Sequence, residues 1–344
     1  MDEQRAENQF NNSVAHIVYA SDDQFAEILG VSMVSLFENS KDMDSIQVYI
    51  LDSGISDLNL KRIKRVCETY CQPEPVVLKA KDITKELKMN VAVDRGSLSQ
   101  YARLFIQRDL PENLNRVLYL DCDTIIQKSI KELWNLDMHG KTIAALKDAF
   151  SNWYRMNIDL KPNDIMFNSG VMLIDLNKWR IKKIEERLLK FISKKHGHIQ
   201  QGDQGALNHV LSHDIYCFEP RFNSVTIFYD FSYKEMLKYR QPVKYYAEKE
   251  IKKSISDPSI VHFTTSFLSK RPWMKDCHHM YYDEWRKYKD MSPWKDEPQR
   301  DDLRSQWRIQ IFSTLPRSLA ISVASWFQVY ARPIKNRIKL GLQK

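Results

Sequence analysis

The chain has 344 residues, of which 43% are hydrophobic and 28% charged, and its formal net charge is +8. This composition excludes a disordered or low-complexity chain and is sufficient to bury a core without structural disulfides or metal. The five cysteines include no CxxC pair, which argues against a disulfide framework, and the polar start MDEQRAENQF predicts no signal peptide. We therefore expect a cytoplasmic protein.

Strand and helix patterns alternate over the first 150 residues. Apolar runs typical of strands are HIVYA at 16–20, IQVYILD at 46–52, VVLKA at 76–80 and RVLYLDCD at 116–123, with helical spacing between them. This order predicts a Rossmann-like α/β domain with a mostly parallel mixed sheet and helices on both faces. Ligands of such sheets bind beyond the carboxyl ends of strands, where ASDDQ and DCD lie.

The second half of the chain continues the α/β pattern before it changes character. Further strands are predicted in TIAALKD, NSGVMLIDL and SIVHFTT, and further helices over 181–195 and from near Asp203. We predict a polar N-terminal extension over 1–13, one α/β domain over 14–290, and a helical, basic and aromatic appendage over 291–344.

The appendage combines cations with apolar side chains. Trp326, Phe327 and Tyr330 are interspersed with Arg and Lys within 301–344, and Pro316 interrupts its most apolar part. The interruption argues against a spanning helix, whereas aromatics flanked by cations are typical of an interfacial helix on an anionic membrane surface. We expect peripheral contact with the membrane; the alternative is a helical pair packed on the core. The basic residues come with no nucleic-acid-binding motif, so we expect no nucleic acid partner.

Two carboxylates, Asp121 and Asp123, end one apolar run, and His262 ends another. Because side chains alternate along a strand, residues 121 and 123 are expected to point the same way. Two carboxylates so close are stable only if one is protonated or a cation lies between them. Oxygen ligands with one imidazole suit Mn²⁺ or Mg²⁺. The alternative is a pair of solvated turn carboxylates.

Several ordered segments within residues 15–290 resemble glycosyltransferase family 8. They are HIVYASDD, SLSQYARL, RVLYLDCDTII, FNSGVMLIDLNKWR, QGDQGALN, and VHFTT followed by RPW. The family comprises retaining enzymes of the GT-A fold, including bacterial lipopolysaccharide galactosyl- and glucosyltransferases and glycogenin. The resemblance implies a metal-dependent retaining transferase that moves galactose or glucose from a UDP-sugar to a saccharide hydroxyl with an α-glycosidic bond. It also implies a role in bacterial capsule, exopolysaccharide or lipopolysaccharide synthesis at the inner membrane.

The resemblance implies roles for individual residues of this chain. Asp121, Asp123 and His262 match the family's Mn²⁺ ligands. The uracil and ribose site is expected at Ala20, Asp22, Gln24 and Phe25, with the backbone of Cys122 beside the ribose. Core packing is the alternative for Phe25.

The residues expected at the transferred sugar come from three segments. Arg103 matches an arginine that spans sugar and diphosphate, and Asn168 and Ser169 match a polar pair at the donor sugar. Asp203 and Gln204 match residues near the anomeric carbon, with Gln204 as an orienting group or a weak nucleophile. The alternative for Asp203 is an N-cap of the following helix.

The chain departs from the family pattern after His262. The family often has a glycine soon after this histidine and a lysine before Pro-Trp, both at the diphosphate. Here FTTS follows His262, and Arg271 precedes Pro-Trp. We expect Thr265 and one of the cations Lys270 and Arg271 to contact the diphosphate.

Two other functional classes are compatible with these residues. A sugar nucleotidyltransferase can share such a core, but it usually has a Gly-rich loop near the first strand, where this chain has only the late Gly30. A catalytically silent sugar-nucleotide-binding scaffold at a membrane assembly is the other class. The full set of site residues argues against it.

Overall fold

The computed structural model describes residues 14–92, 98–301, 309–312 and 314–341. The predicted N-terminal extension over 1–13 lies outside the described residues. The strands are β1 (Val14–Ser21), β2 (Ser45–Asp52), β3 (Val76–Lys79), β4 (Arg116–Leu120), β5 (Thr124–Ile126), β6 (Ile143–Lys147), β7 (Phe167–Asp175), β8 (Ile215–Cys217), β9 (Ser224–Val225) and β10 (Ile260–His262).

Seven strands form the central sheet, in the order β3-β2-β1-β4-β7-β6-β8. The pairs β2–β3, β1–β2, β1–β4 and β6–β8 are parallel, and β7 runs antiparallel between β4 and β6. Consecutive residues of β1 and β4 are buried on both faces, as expected of strands covered by helices on both sides. The prediction of a mostly parallel mixed sheet is confirmed.

A second sheet of three strands, β5-β10-β9, was not predicted as a sheet, although β10 lies within the predicted strand SIVHFTT. Its strands are two or three residues long, which is too short to give a periodic signal in the sequence. β5 follows β4 after a three-residue turn and pairs antiparallel with β10, with Thr124 opposite His262. The small sheet thereby brings His262 to the end of β4.

Helices pack on both faces of the central sheet. They are α1 (Ala26–Asn39), α2 (Asp57–Thr69), α3 (Ile83–Leu87), α4 (Ile106–Asp109), α5 (Lys131–Trp134), α6 (Asn152–Asn157), α7 (Leu176–Ile181), α8 (Ile184–Lys194), α9 (Gly202–Leu211), α10 (Thr226–Asp230), α11 (Tyr233–Arg240), α12 (Glu248–Ser256), α13 (Tyr282–Asp290), α14 (Arg317–Trp326) and α15 (Arg332–Gly341). Short 3₁₀ helices span Asp23–Phe25, Leu98–Phe105 and Pro220–Asn223.

Helix α1 is buried almost all round, and the end of α13 and the chain after it pack against α1. Lys289, fully buried, pairs with Glu27 at 2.6 Å, and Arg300 pairs with the same carboxylate at 3.1 Å. The ring of Trp294 occupies the space where a Cβ on Gly30 would lie, 2.1 Å from its Cζ3. These contacts attach the start of the predicted appendage to the α/β domain.

Helices α14 and α15 are joined by a π-helical turn over Phe327–Ala331 and form one rod against α11 and α6. Ala320, Ile321, Ala324 and Val329 are buried against the domain. The outer side exposes Leu319, Trp326, Phe327, Ile334 and Ile338. The rod therefore packs on the core with one side and presents apolar side chains on the other. Among the described residues, no helix is long and apolar enough to span a membrane.

Candidate active site

A cleft of about 970 Å³, here called the first cleft, opens at the carboxyl ends of β1 and β4. The predicted site residues that line it are Ala20, Asp22, Phe25, Arg103, Asp121, Cys122, Asp123, Ser169, Asp203, Gln204 and Arg271. Asn168 and Thr265 line a neighbouring cleft instead.

Two carboxylates and one imidazole form a cluster at the first cleft. One ligand atom from each of Asp121, Asp123 and His262 lies within 4.8 Å of the others. The Nε2 atom of His262 is 3.1 Å from Asp123 Oδ1 and 3.8 Å from Asp121 Oδ2. Oxygen donors with one imidazole nitrogen suit Mn²⁺ or Mg²⁺, so the cluster fits the metal that the sequence predicts.

The two carboxylates lie in a turn, and the prediction that they share a strand face is wrong. β4 ends before Asp121, β5 begins at Thr124, and residues 121–123 connect the two sheets. The Thr124 hydroxyl donates to the carbonyl of Asp121 at 2.9 Å and closes this turn. The carboxylates converge on His262 because β5 pairs with β10.

A chain of hydrogen bonds fixes the tautomer of His262. The backbone N–H of Gly170 donates to Asn168 Oδ1 at 3.0 Å, and Asn223 Nδ2 donates to the same oxygen at 2.9 Å. Asn223 Oδ1 is therefore the acceptor for the His262 Nδ1–H, at 2.9 Å. With this proton on Nδ1, the Nε2 lone pair faces the carboxylates, which is the form that binds a metal.

Gly170 allows β7 to pass directly behind the cluster. A Cβ on this residue would lie 2.2 Å from His262 Cε1 and 2.8 Å from Asp121 Oδ2. The Gly170 carbonyl accepts a hydrogen bond from the backbone N–H of Asp121 at 2.7 Å. A side chain at position 170 would therefore displace two of the three candidate ligands.

Arg103 is buried and joins two carboxylates across the first cleft. Its Nη2 lies 2.9 Å from Asp121 Oδ1, and its Nε lies 2.9 Å from Asp203 Oδ2. Nη1 donates to the carbonyl of Ser169 at 2.7 Å. Burial alone would lower the pKa of Arg103, but Asp121, Tyr119 and Asp203 outweigh it and raise that pKa above its usual value. The arginine stays charged and links the turn after β4 to α9.

Tyr119 supports both Arg103 and Asp121. Its ring centroid is 4.5 Å from the guanidinium carbon of Arg103, and its hydroxyl donates to Asp121 Oδ1 at 3.0 Å. Burial raises the pKa of the Tyr119 hydroxyl well above its usual value, so the hydroxyl stays protonated and remains a donor. Oδ1 of Asp121 is thus held by Tyr119 and Arg103, and Oδ2 faces His262.

Asp203 and Gln204 lie in the first turn of α9. The N-cap is Gln201, in a left-handed conformation with φ of 68°, so the alternative of Asp203 as N-cap is wrong. Gln204 Oε1 accepts hydrogen bonds from the Ser169 hydroxyl and backbone N–H, both at 3.3 Å, and Nε2 donates to Asp148 Oδ2 at 3.1 Å. These bonds fix the orientation of the Gln204 amide.

The end of β1 forms the opposite side of the first cleft. Asp22 Oδ1 accepts from the backbone N–H of Phe25 at 3.3 Å, and Oδ2 accepts from the Ser99 hydroxyl at 3.4 Å. Phe25 is half-buried and packs edge-on against Trp273, with ring centroids 6.4 Å apart. It therefore both packs and lines the cleft. Gln24 is exposed and is absent from the described lining residues.

Cys122 directs its thiol away from the carboxylate cluster. The thiol is buried and donates to the carbonyl of Ala20 at 3.3 Å. Burial raises the pKa of this thiol above its usual value. Cys122 therefore joins the turn after β4 to the end of β1.

The structure distinguishes the two candidate cations after β10. Arg271 lines the first cleft, with Nη2 3.7 Å from Asp123 Oδ2, and it donates to the Thr265 hydroxyl at 2.7 Å. Lys270 instead pairs with Asp276 at 3.1 Å. Arg271 is therefore the cation that stands beside the carboxylate cluster.

Tyr119, Asp148 and Asn223 contact predicted site residues but were not themselves predicted. Tyr119 stands two residues before Asp121 on an apolar run, and Asp148 ends the predicted strand TIAALKD, so both carried a signal. Asn223 lies in an irregular stretch. Nothing in its sequence context indicates a partner for a histidine that lies 39 residues away.

Comparison with known proteins identifies the family. Residues 16–277 match the sequence model of Glycosyl transferase family 8. The chain belongs to glycosyltransferase family 8. It is similar to general stress protein A of Bacillus subtilis (strain 168), with 30% identity over 292 residues that cover 82% of this chain and 96% of the relative. It is also similar to the lipopolysaccharide 1,2-glucosyltransferase of Escherichia coli K12, with 26% identity over 83% of this chain and 80% of the relative.

The family's fold agrees with the architecture described above. The galactosyltransferase LgtC, solved in complex with donor and acceptor sugar analogues, superposes with a TM-score of 0.68 at 21% identity. The match covers 85% of this chain and 99% of LgtC. The GT-A fold predicted from the family resemblance is confirmed. Membership of family 8 makes the chain a glycosyltransferase and sets aside the nucleotidyltransferase alternative.

Proposed function

We propose that the chain transfers galactose or glucose from a UDP-sugar to a saccharide hydroxyl, in a metal-dependent reaction that retains the α configuration. The observation that carries this proposal is the cluster of Asp121, Asp123 and His262, whose two carboxylates line the first cleft. These residues would hold a Mn²⁺ or Mg²⁺ ion, which would supply positive charge against the diphosphate leaving group.

We assign the residues around the cluster to three parts of the donor: the uridine, the diphosphate and the hexose. The end of β1, with Asp22 and Phe25, is the side proposed for the uridine. Arg271 adds a fixed positive charge for the diphosphate, for which its guanidinium can act bidentately. Arg103 and Asp203 are proposed for the hexose, because their ion pair presents both donors and acceptors to sugar hydroxyls.

Retention follows if the acceptor hydroxyl attacks from the face that UDP leaves. In this route a phosphate oxygen of the leaving group takes the acceptor proton, and no side chain is needed as a general base. Gln204 is neutral, and both ends of its amide are held by Ser169 and Asp148. We assign it the role of orienting the sugar near the anomeric carbon.

The acceptor is proposed to bind in a second cleft of about 820 Å³ next to the first. Gln201 and Gln204 line both clefts, so the second cleft reaches the place assigned to the anomeric carbon. Asn168 and Thr265 belong to this side. We therefore reassign Thr265 from diphosphate contact to the boundary between donor and acceptor.

The test is UDP release from UDP-galactose, UDP-glucose and UDP-N-acetylglucosamine, with Mn²⁺ and with a chelator. We expect release from at least one UDP-hexose to be stimulated by Mn²⁺ and abolished by the chelator. A transferred product with the β configuration, determined by NMR, would contradict retention. Absence of metal-stimulated release from every UDP-sugar would instead favour the silent scaffold.

We further propose that the outer side of α14 and α15 contacts an anionic membrane surface at the cytoplasmic face of a bacterial inner membrane. The support is an exposed apolar row, with Trp326 and Phe327 at 57% and 56% exposure, beside the exposed cations Lys335 and Arg337. A role in surface polysaccharide synthesis is proposed on the same ground, since such acceptors are carried on lipids.

A further inference from the structure

The second cleft has a charge pattern that the donor reaction leaves unexplained. Two arginines, Arg240 and Arg332, line it, and Asp148 is the only carboxylate among its described lining residues. Asp148 already accepts hydrogen bonds from Gln204 at 3.1 Å and from the backbone N–H of Ala149 at 2.8 Å. The described lining residues therefore include one more arginine than carboxylates, next to the place where an acceptor is proposed to bind.

Arg240 lacks a protein counter-ion in the described part of the chain. Its guanidinium carbon lies 4.9 Å from the ring centroid of Tyr239 and 5.5 Å from that of Phe150. No described carboxylate lies within ion-pair distance of it, and its buried Nε has no hydrogen-bond partner. A guanidinium that lies near two aromatic rings and has an unused buried donor is suited to bind an oxyanion.

Arg332 reaches the second cleft from the C-terminal rod. Gln328 and Arg332 both line the cleft and are one helical turn apart, on either side of the end of the π-helical turn. Such wide turns are frequent at functional sites, because the inserted residue re-aims the side chains that follow. Both residues lie beyond residue 277, where the match to the family model ends.

Buried side-chain amides hold the C-terminal rod beside the second cleft. Asn157 Nδ2 donates to the carbonyl of Pro333 at 2.9 Å and to Gln200 Oε1 at 3.0 Å. Asn336 Nδ2 donates to the same Gln200 oxygen at 2.9 Å. Gln200 is 1% exposed and lies directly before Gln201, which lines both clefts. The position of Arg332 is therefore tied to the segment that carries Asp203 and Gln204.

We propose that the second cleft selects an acceptor saccharide that bears an anionic group, a phosphate or a carboxylate, bound between Arg240 and Arg332. Aromatic rings such as Tyr239 and Phe267 line the same cleft and offer faces for a sugar ring. The C-terminal rod is then part of the acceptor site as well as a surface element. This inference rests on the proposed function, because it assumes that the second cleft holds the acceptor.

The test compares neutral and anionic acceptors of one sugar. Metal-dependent UDP release is measured with p-nitrophenyl hexosides, their 6-phosphates and the corresponding hexuronides, each against the rate with donor alone. We expect at least one anionic series to have a KM about tenfold or more below its neutral counterpart, as expected for one hydrogen bond to a charged group. The phosphate and carboxylate arms identify which oxyanion is preferred.

Variants of the two arginines test whether these residues cause the preference for anionic acceptors. We expect Arg240→Gln and Arg332→Gln each to reduce the anionic preference about tenfold, acting on KM more than on kcat. Arg65→Gln, at an exposed arginine on α2 outside the cleft, is the matched control and should keep the preference. If Arg240→Gln fails to fold, the exposed Arg332→Gln carries the test alone.

The outcomes separate this inference from the proposed function. Wild-type protein that releases UDP with metal but treats neutral and anionic acceptors alike would overturn the inference only. A preference that survives both arginine variants would also overturn it. Absence of metal-stimulated UDP release with donor alone would overturn the proposed function, and this inference with it.

Discussion

The Nδ1 atom of His262 lies 2.9 Å from the side-chain oxygen of Asn223, and this contact turns Nε2 toward Asp121 and Asp123. The orientation of the Asn223 amide is itself fixed through Asn168 by the backbone N–H of Gly170, which can only donate. The main chain of β7 thus sets the protonation pattern of a candidate metal ligand on another sheet.

Replacing Asn223 tests this relationship. Asn223→Ala leaves the three candidate ligands in place but removes the acceptor for Nδ1, so the imidazole can rotate or change tautomer. We expect Mn²⁺ affinity, measured by calorimetric titration, to fall about 10- to 100-fold. Asn113→Ala, at an exposed position, is the control. Unchanged affinity in Asn223→Ala would show that the amide does not position the histidine.

Adding one methyl group at Gly170 tests the close packing behind the cluster. We expect Gly170→Ala to lose Mn²⁺ binding while keeping its far-UV circular dichroism, because the methyl would lie 2.2 Å from His262 Cε1. Gly140→Ala is the control: nothing lies within 4 Å of its added methyl, but its φ of +76° is left-handed. It should cost about 1–2 kcal/mol of folding stability and leave metal affinity unchanged. Normal metal binding by Gly170→Ala would contradict the described packing.

Removing the charge of Arg103 tests the bridge between Asp121 and Asp203. Arg103→Ala leaves the buried carboxylate of Asp203 and the half-buried carboxylate of Asp121 without their counter-ion, so we expect the free energy of unfolding to fall by about 3–5 kcal/mol. Arg103→Lys keeps the charge but cannot bond both carboxylates and Ser169. Its free energy of unfolding should therefore lie between those of the wild type and Arg103→Ala. Arg286→Ala, which breaks an exposed i,i+4 pair, should cost about 0.3–0.5 kcal/mol. Equal losses of unfolding free energy in Arg103→Ala and Arg286→Ala, measured by urea denaturation, would contradict the bridge.

The sequence was sufficient to predict six of the seven central strands, because they are apolar runs with helices between them, but not β8, which has three residues. In the small sheet it predicted β10, within SIVHFTT, but not β5 and β9, whose two or three residues carry no periodicity. For this reason Asp121 and Asp123 were placed on a strand face, although they lie in the turn that connects the sheets.

The site residues likewise include some that the sequence was sufficient to predict and some that it was not. Asp121, Asp123 and His262 were predicted to meet, and they lie close together in the structure. The sequence could not predict whether Lys270 or Arg271 faces the cleft, because this depends on the geometry of the loop. In the structure Lys270 pairs with the carboxylate of Asp276 instead. The role of Asn223 could not be predicted, because it depends on how the two sheets lie next to each other.

The proposed membrane contact is best tested with point variants. Deleting the C-terminal rod would also remove Ile321 and Ala324 from the core and Arg332 from the second cleft. We expect Trp326→Ala with Phe327→Ala, and separately Lys335→Gln with Arg337→Gln, to reduce cosedimentation with phosphatidylglycerol vesicles. Each lost cation should cost about 1 kcal/mol of binding at low salt. Leu58→Ser, at an exposed leucine on α2, is the control. Equal binding by all variants would contradict the membrane contact and favour a rod that packs on the core.

The most direct test of the account is metal-dependent turnover in Asp123→Asn. This variant keeps the shape of the side chain but removes one charge from the cluster, and Asp57→Asn, at an exposed carboxylate, is the matched control. UDP release from the preferred UDP-hexose is measured against Mn²⁺ concentration for both variants and the wild type. We predict Mn²⁺-stimulated release in the wild type and Asp57→Asn, and loss of the stimulation in Asp123→Asn. The same Mn²⁺ response in all three proteins would contradict the assignment of the metal to Asp121, Asp123 and His262.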